Sequence, residues 1–232
     1  MAMELRTNLR RLSARVIPVV FLAWAASVQA AEPYSNGLPP QCGVLKHNYG
    51  PFDYRYDQSK LPIVEEYHFT PSVEQLTEGH SGYVGGDLNY TLESFPNHPR
   101  ALMAMIRLGE RDRTDRPRGA QYTVECYLER AEAFAPDDGM VQLLYGIYLL
   151  TKGHPADALK RFQHAESLGP GSANLYYNMG LAYYRVKDYG KSLDYAHKAY
   201  ALGFPLPGLK NMLERVGKWE PMEAKAKAPP EK

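Results

Sequence analysis

Histidines, carboxylates and cysteines are the side chains here that offer proton transfer, metal ligation or redox chemistry. Seven histidines occur, at 47, 68, 80, 98, 154, 164 and 197, and none forms a close pair at metal-ligand spacing on one element; the zinc-binding pattern HExxH is absent. The nearest approach to a reactive cluster is His68 with Glu65 and Glu66, an acid–base or metal group by residue type. Solvated polar residues ahead of a helix cap are the plainer reading of the same triplet. The glycines of GYVGG at 82–86 lack the following Lys-Ser/Thr of a phosphate loop. Gly-x-Ser-x-Gly does not occur, and Gly171-Ser172 falls in a turn rather than at a nucleophile elbow. Glu129 with Glu132, and Asp137 with Asp138, read as a solvated helix face and a turn. The sequon Asn89-Tyr90-Thr91 lies inside a predicted helix, which makes chance its better account. No catalytic residue, metal site or cofactor is therefore expected.

Cys42 and Cys126 remain. They are too far apart for a thioredoxin-type pair and lack the His partners of a zinc site, so a disulfide is expected if the chain is exported. Closing a separation of 84 residues would stabilise the fold by on the order of 4 kcal/mol before strain.

Export is what the first thirty residues predict. Arg6, Arg10, Arg11 and Arg15 precede an apolar run from Val16 to Val28, and Val28-Gln29-Ala30 fits the small-residue rule for cleavage before Ala31. That run is shorter than the roughly 20 residues of a spanning helix, so a cleaved secretory signal over 1–30 is expected and membrane insertion afterwards is not. The periplasm is the first choice of destination. Four of the 27 basic and one of the 26 acidic residues lie in the signal, leaving 23 against 25. So even a balance, without a basic stripe, excludes a nucleic-acid binder and argues against reading Tyr176-Tyr177 and Tyr183-Tyr184 as base-stacking platforms.

The elements that position everything else repeat with a period of 34. At that offset Ala131, Ala165 and Ala199 coincide, as do Gly146 with Gly180, Leu159 with Leu193, and Pro136 with Pro170. Counting from Gly139, positions 7, 8, 11, 20, 24, 27 and 32 are Tyr145, Gly146, Leu149, Ala158, Phe162, Ala165 and Pro170. Small residues at 8 and 20 let two antiparallel helices approach closely, and proline at 32 ends the second. The next unit, Ala173 to Leu206, carries Met179, Gly180, Tyr183, Ser192, Ala196 and Ala199, with Phe204 where proline is usual. These units resemble the tetratricopeptide repeat family over 87–219, most specifically at 139–172 and 173–206. Segments YGPFDYR (49–55), HFTPSVEQL (68–76) and DLNYTLESFPNHPRAL (87–102) resemble exported bacterial repeat proteins of unassigned role.

The resemblance implies an all-α fold, a right-handed superhelical stack of helix-turn-helix hairpins that binds proteins or peptides without catalysis. Upstream, Asp87–Phe95 and Pro99–Leu108, the latter capped by Asn97, are expected helices, with a charged loop over Glu110–Gly119 before a helix from Val124. Residues 31–86 are expected to form an extended, aromatic-studded arm lying along the stack, with a short helix from Thr70-Pro71 to Leu76 and a flexible joint at 80–87. A capping helix is expected within 207–219, and a polar tail, expected to be disordered, over 220–232.

The concave groove that the resemblance implies would be lined by Arg107, then Met140, Leu143, Ile147 and Leu150, then Asn174, Tyr177, Asn178, Leu181, Tyr184 and Arg185. Its apolar middle and polar C-terminal third suit a helix or extended peptide. A basic carboxylate clamp is excluded, since Met140, Leu143 and Tyr177 stand where Lys or Arg would be needed. The expected function is a non-enzymatic scaffold or adaptor for a protein or peptide partner in the cell envelope. The alternative is a ligand- or metal-binding protein or enzyme whose site lies between arm and repeats, using His68, Glu65 and Glu66 or Arg107.

Overall fold

A computed structural model describes residues 37–222; the expected signal at 1–30 and all but the first three residues of the expected tail lie outside the described residues. Among the described residues there are ten α-helices and no strand: α1 (Leu61–His68), α2 (Pro71–Glu74), α3 (Val84–Ser94), α4 (Pro99–Asp112), α5 (Val124–Phe134), α6 (Gly139–Thr151), α7 (Pro155–Ser167), α8 (Ala173–Arg185), α9 (Tyr189–Ala201) and α10 (Gly208–Arg215). Three-residue connections make α6 pack along α7 and α8 along α9, and α7 in turn packs on α8.

Residues 34 apart do the same work in successive hairpins. A Cβ added to Gly146 would collide with the Phe162 ring, and one added to Gly180 would lie 2.5 Å from Leu209 and 3.3 Å from the Ser192 carbonyl. Both glycines therefore set a close helix–helix approach. On α7 the buried side chains are Ala158, Phe162 and Ala165; on α9 they are Ser192, Ala196 and Ala199, at the same places in the period. The buried Ser192 hydroxyl is satisfied by donating to the Gly180 carbonyl at 2.8 Å. The turn after each first helix passes through a left-handed residue, Gly153 at φ 82° and Lys187 at φ 65°. Side-chain caps start α6, α8 and α9: Asp138 accepts from the Met140 N–H, Ser172 from Leu175 and Asp188 from Lys191.

Upstream the observed boundaries differ from expectation. The arm is not extended throughout, because α1 lies within it; eight residues burying only Leu61 and Val64 are too few to register as a helical period. Helix α3 begins at Val84, inside the expected flexible joint. Gly85 is there because a Cβ would meet the Arg118 carbonyl at 2.5 Å, so the glycine serves a close approach rather than flexibility. His98, not Asn97, caps α4, which runs on to Asp112, and the long loop occupies 113–123.

The segment before α1 is held by specific bonds. Cys42 is joined to Cys126 by a disulfide, S–S 1.98 Å, which ties a short 3-10 turn at Pro40–Cys42 to α5. Arg130, 1% exposed, donates to the Cys42 and Val44 carbonyls at 2.8 and 2.9 Å and lies over the Tyr122 ring. Farther on, Tyr49, Phe52 and Tyr54 pack around Leu61, Val64 and Phe95. At the other end Leu209 and Leu213 of α10 form a small core with Ala196. Among the described residues no helix is long and apolar enough to cross a membrane.

Candidate functional site

The residues expected to line the groove fall into three groups. Met140 stands 46% exposed at the start of α6, beside an apolar notch of about 200 Å³ walled by Leu143, Ala165, Leu168, Pro170 and Leu175. Leu143 itself is buried at 3%, and Ile147 and Leu150 are half-buried against the same core as Phe162 and Met179. The apolar middle therefore spends most of its surface on neighbouring helices.

The C-terminal third is largely covered by the chain's own last helix. Tyr177, Leu181 and Tyr184 pack against Leu209 and Leu213, and the Tyr177 ring stacks on Phe204 at 3.9 Å. Phe204 replaces the usual proline at a place where a flat ring is in use. Asn174 and Arg185 are exposed, and the Asn178 amide donates to the Asn174 carbonyl and Oδ1, both at 2.9 Å. Arg107 is exposed on α4, away from α6 and α8 in sequence, and its charge acts on Glu74. The aromatic rings of the N-terminal segment gather with Phe95 and not in the cluster that contains Leu143.

A second concentration of chemistry lies where the N-terminal segment, α1 and α2 meet α3 and α4. Asn97, 1% exposed, receives the Tyr54 N–H at 2.9 Å and donates to Asp53 at 2.8 Å and Asp138 at 3.0 Å. Arg55 donates to Asp53 at 2.7 Å and to Asp137 at 3.0 Å. The bond from Arg55, with that from Asn97, holds the Asp53 carboxyl down to about 2.

His98 is fully buried between the Tyr54 and Phe69 rings. Its Nδ1 accepts the Ala101 N–H at 3.2 Å as the cap of α4, so Nε2 carries the proton and donates to Glu65 Oε1 at 3.2 Å. Burial, aided by the Arg100 charge, lowers its pKa to about 3 and keeps the ring neutral. Arg100 also reaches Glu65 at 3.2 Å and clamps Glu74, whose carboxyl it holds below the usual range.

The cluster of His68 with Glu65 and Glu66 that the alternative reading would use does not form. Glu65 turns to His98 and Arg100, Glu66 is exposed, and His68 pairs with a residue the sequence did not single out. Asp87, 2% exposed, stands with Oδ1 3.1 Å from His68 Nδ1, while its Oδ2 accepts the His80 and Ser81 amides at 2.7 and 3.0 Å. The His68 ring stacks on Tyr90 at 3.8 Å. This is an Asp–His dyad assembled across 19 residues by the packing of α1 on α3.

Among the described residues one group of three metal-type side chains comes together: Cys42, Cys126 and Glu129. Both sulfurs are spent in the disulfide. The Glu129 carboxyl lies 2.9 Å from Cys42 Sγ, and burial, followed by Glu125 and Glu132, raises its pKa; the contact is a hydrogen bond only when that acid is protonated.

No family model, curated protein or solved structure matches the chain.

Proposed function

We propose that the chain is a tetratricopeptide-type scaffold of the cell envelope that acts by holding a peptide or helix of another protein, without catalysis. The observation that carries this reading is the recurrence, 34 residues apart, of the glycine approach at Gly146 and Gly180, the left-handed turn at Gly153 and Lys187, and the buried triplets on α7 and α9. A disulfide-closed chain accords with export to an oxidising compartment, the periplasm in this reading.

The face offered to a partner is narrower than the residue pattern alone implies. Its exposed apolar contact is Met140 with the notch beside it, and its polar contacts are Asn174, Asn178 and Arg185; Tyr177, Leu181 and Tyr184 offer only their uncovered edges. Apolar anchoring at a recess with flanking hydrogen bonds is how a few residues supply most of the affinity. The test uses Met140→Glu combined with Asn174→Arg. Both sites are exposed, so helicity and melting should be unchanged while capture of a partner from envelope extract falls at least tenfold. Capture that survives the double substitution assigns binding elsewhere and removes the groove from the account.

A further inference from the structure

The His68–Asp87 dyad opens on a recess of about 220 Å³ lined by Tyr49, Ile63, Val64, Tyr67, His68 and Tyr90. We propose that this recess binds a small, neutral, monocyclic aromatic molecule with one O–H group, a phenol, whose hydroxyl donates to Nε2 of His68. The inference does not depend on whether α6 to α9 hold a partner.

The acceptor is fixed by the dyad. Asp87 Oδ2 is filled by two amide N–H groups, and Oδ1 accepts from His68, which places the proton of the neutral ring on Nδ1. Nε2 is then a lone-pair acceptor, and it makes no hydrogen bond among the described residues. Buried side-chain atoms without a partner are confined there to Arg130 Nε, so Nε2 of the partly exposed His68 is open to solvent. His68 lines the recess, and with one ring face on Tyr90 and the Nδ1 edge on Asp87 its Nε2 edge is left without a hydrogen-bond partner among the described residues.

Charge and size select the class. Tyr49, Ile63, Val64, Tyr67 and Tyr90 carry no charge at neutral pH, and the Tyr49 hydroxyl is engaged with the Lys60 carbonyl, so these five residues offer neither an anion nor a cation an ionic partner. Three tyrosine rings and two aliphatic side chains favour a flat apolar body with a single polar point. A dry cavity of about 150 Å³ admits benzene, so a recess of about 220 Å³ has room for one six-membered ring with a substituent.

The test titrates the intact protein with phenol, toluene and cyclohexanol, three probes of equal heavy-atom count, while recording the imidazole nitrogen and Tyr90 ring signals by NMR. Neutral His68 should be the Nδ1–H tautomer, phenol should shift His68 and Tyr90 saturably, and toluene and cyclohexanol should bind at least tenfold more weakly. His68→Phe, which keeps a ring against Tyr90 and removes the acceptor, should bring phenol down to the affinity of toluene. The opposite tautomer, no saturable shift, or phenol binding no tighter than toluene or cyclohexanol in the unaltered protein would each overturn the assignment, without reliance on the variant.

Discussion

His98 is fully buried, and burial together with the Arg100 charge favours its neutral ring in the folded state. Its ordinary value of 6.5 falls to about 3 in the folded state, so between those values the unfolded chain binds a proton that the folded chain does not. Stability is then present above pH 6.5 and is lost as pH falls toward 3. Linkage with these two values puts the loss from pH 7 to pH 5 at about 2 kcal/mol, a melting shift of roughly 4–8 °C for a domain of this size. Asp53, held to about 2, contributes in a lower window, below pH 4, and does not interfere at pH 5. The perturbation is His98→Asn, which retains an oxygen to accept the Ala101 N–H and cannot titrate. The variant will be less stable at pH 7, because the ring packs on Tyr54 and Phe69; the informative quantity is the slope. Urea unfolding at half-unit steps from pH 7.5 to 4.5 should show a fall in the unaltered protein about 2 kcal/mol larger than in the variant. Parallel slopes would refute the claim that a buried neutral His98 governs acid sensitivity.

Three further outcomes are expected. Gly146→Ala, which sets a Cβ against the Phe162 ring, should cost about 1–3 kcal/mol, and Gly180→Ala should cost a comparable amount against Leu209; a melting temperature unchanged in both would count against close hairpin packing. Lys187→Gly should stabilise by up to about 1 kcal/mol, because a left-handed residue with a Cβ is strained where Gly153 is not, and differential scanning calorimetry reads the sign. Replacing Cys42 and Cys126 together by Ser should lower stability by on the order of 4 kcal/mol in chemical denaturation, with the oxidised parent as reference.

What could be read from residue order and what could not divide along the length of the chain. From 124 onward the small-residue contacts fall within one period and α5, α6, α8 and α9 carry side-chain caps just ahead of them, so Gly146, Ala158, Ser172 and Ser192 announce the helices locally. Upstream, the determinants are contacts between residues far apart in sequence. Helix α1 is recognisable only once Leu61 and Val64 meet Phe95, and α3 could not be started at Val84 without knowing that Gly85 faces the backbone at Arg118. The same distinction governs the sites. His68 stood out by type, but its partner Asp87 is 19 residues away in what reads as a glycine-rich joint, and Glu65 was claimed by His98 and Arg100 instead. The capping helix expected within 207–219 is present as α10, but place in the period does not show that it packs on the groove positions Tyr177, Leu181 and Tyr184.

The central proposal, a partner held on the face formed by α6 and α8, is tested most directly by site-specific photo-crosslinking in the native envelope. A photoreactive phenylalanine analogue would be placed singly at Met140 and at Asn174 on that face, and at Lys160 and Lys191 on the exposed sides of α7 and α9. The account predicts one and the same protein adduct from Met140 and Asn174 and none from Lys160 or Lys191. Adducts confined to the α7 and α9 positions, or the same adducts from all four, would contradict it.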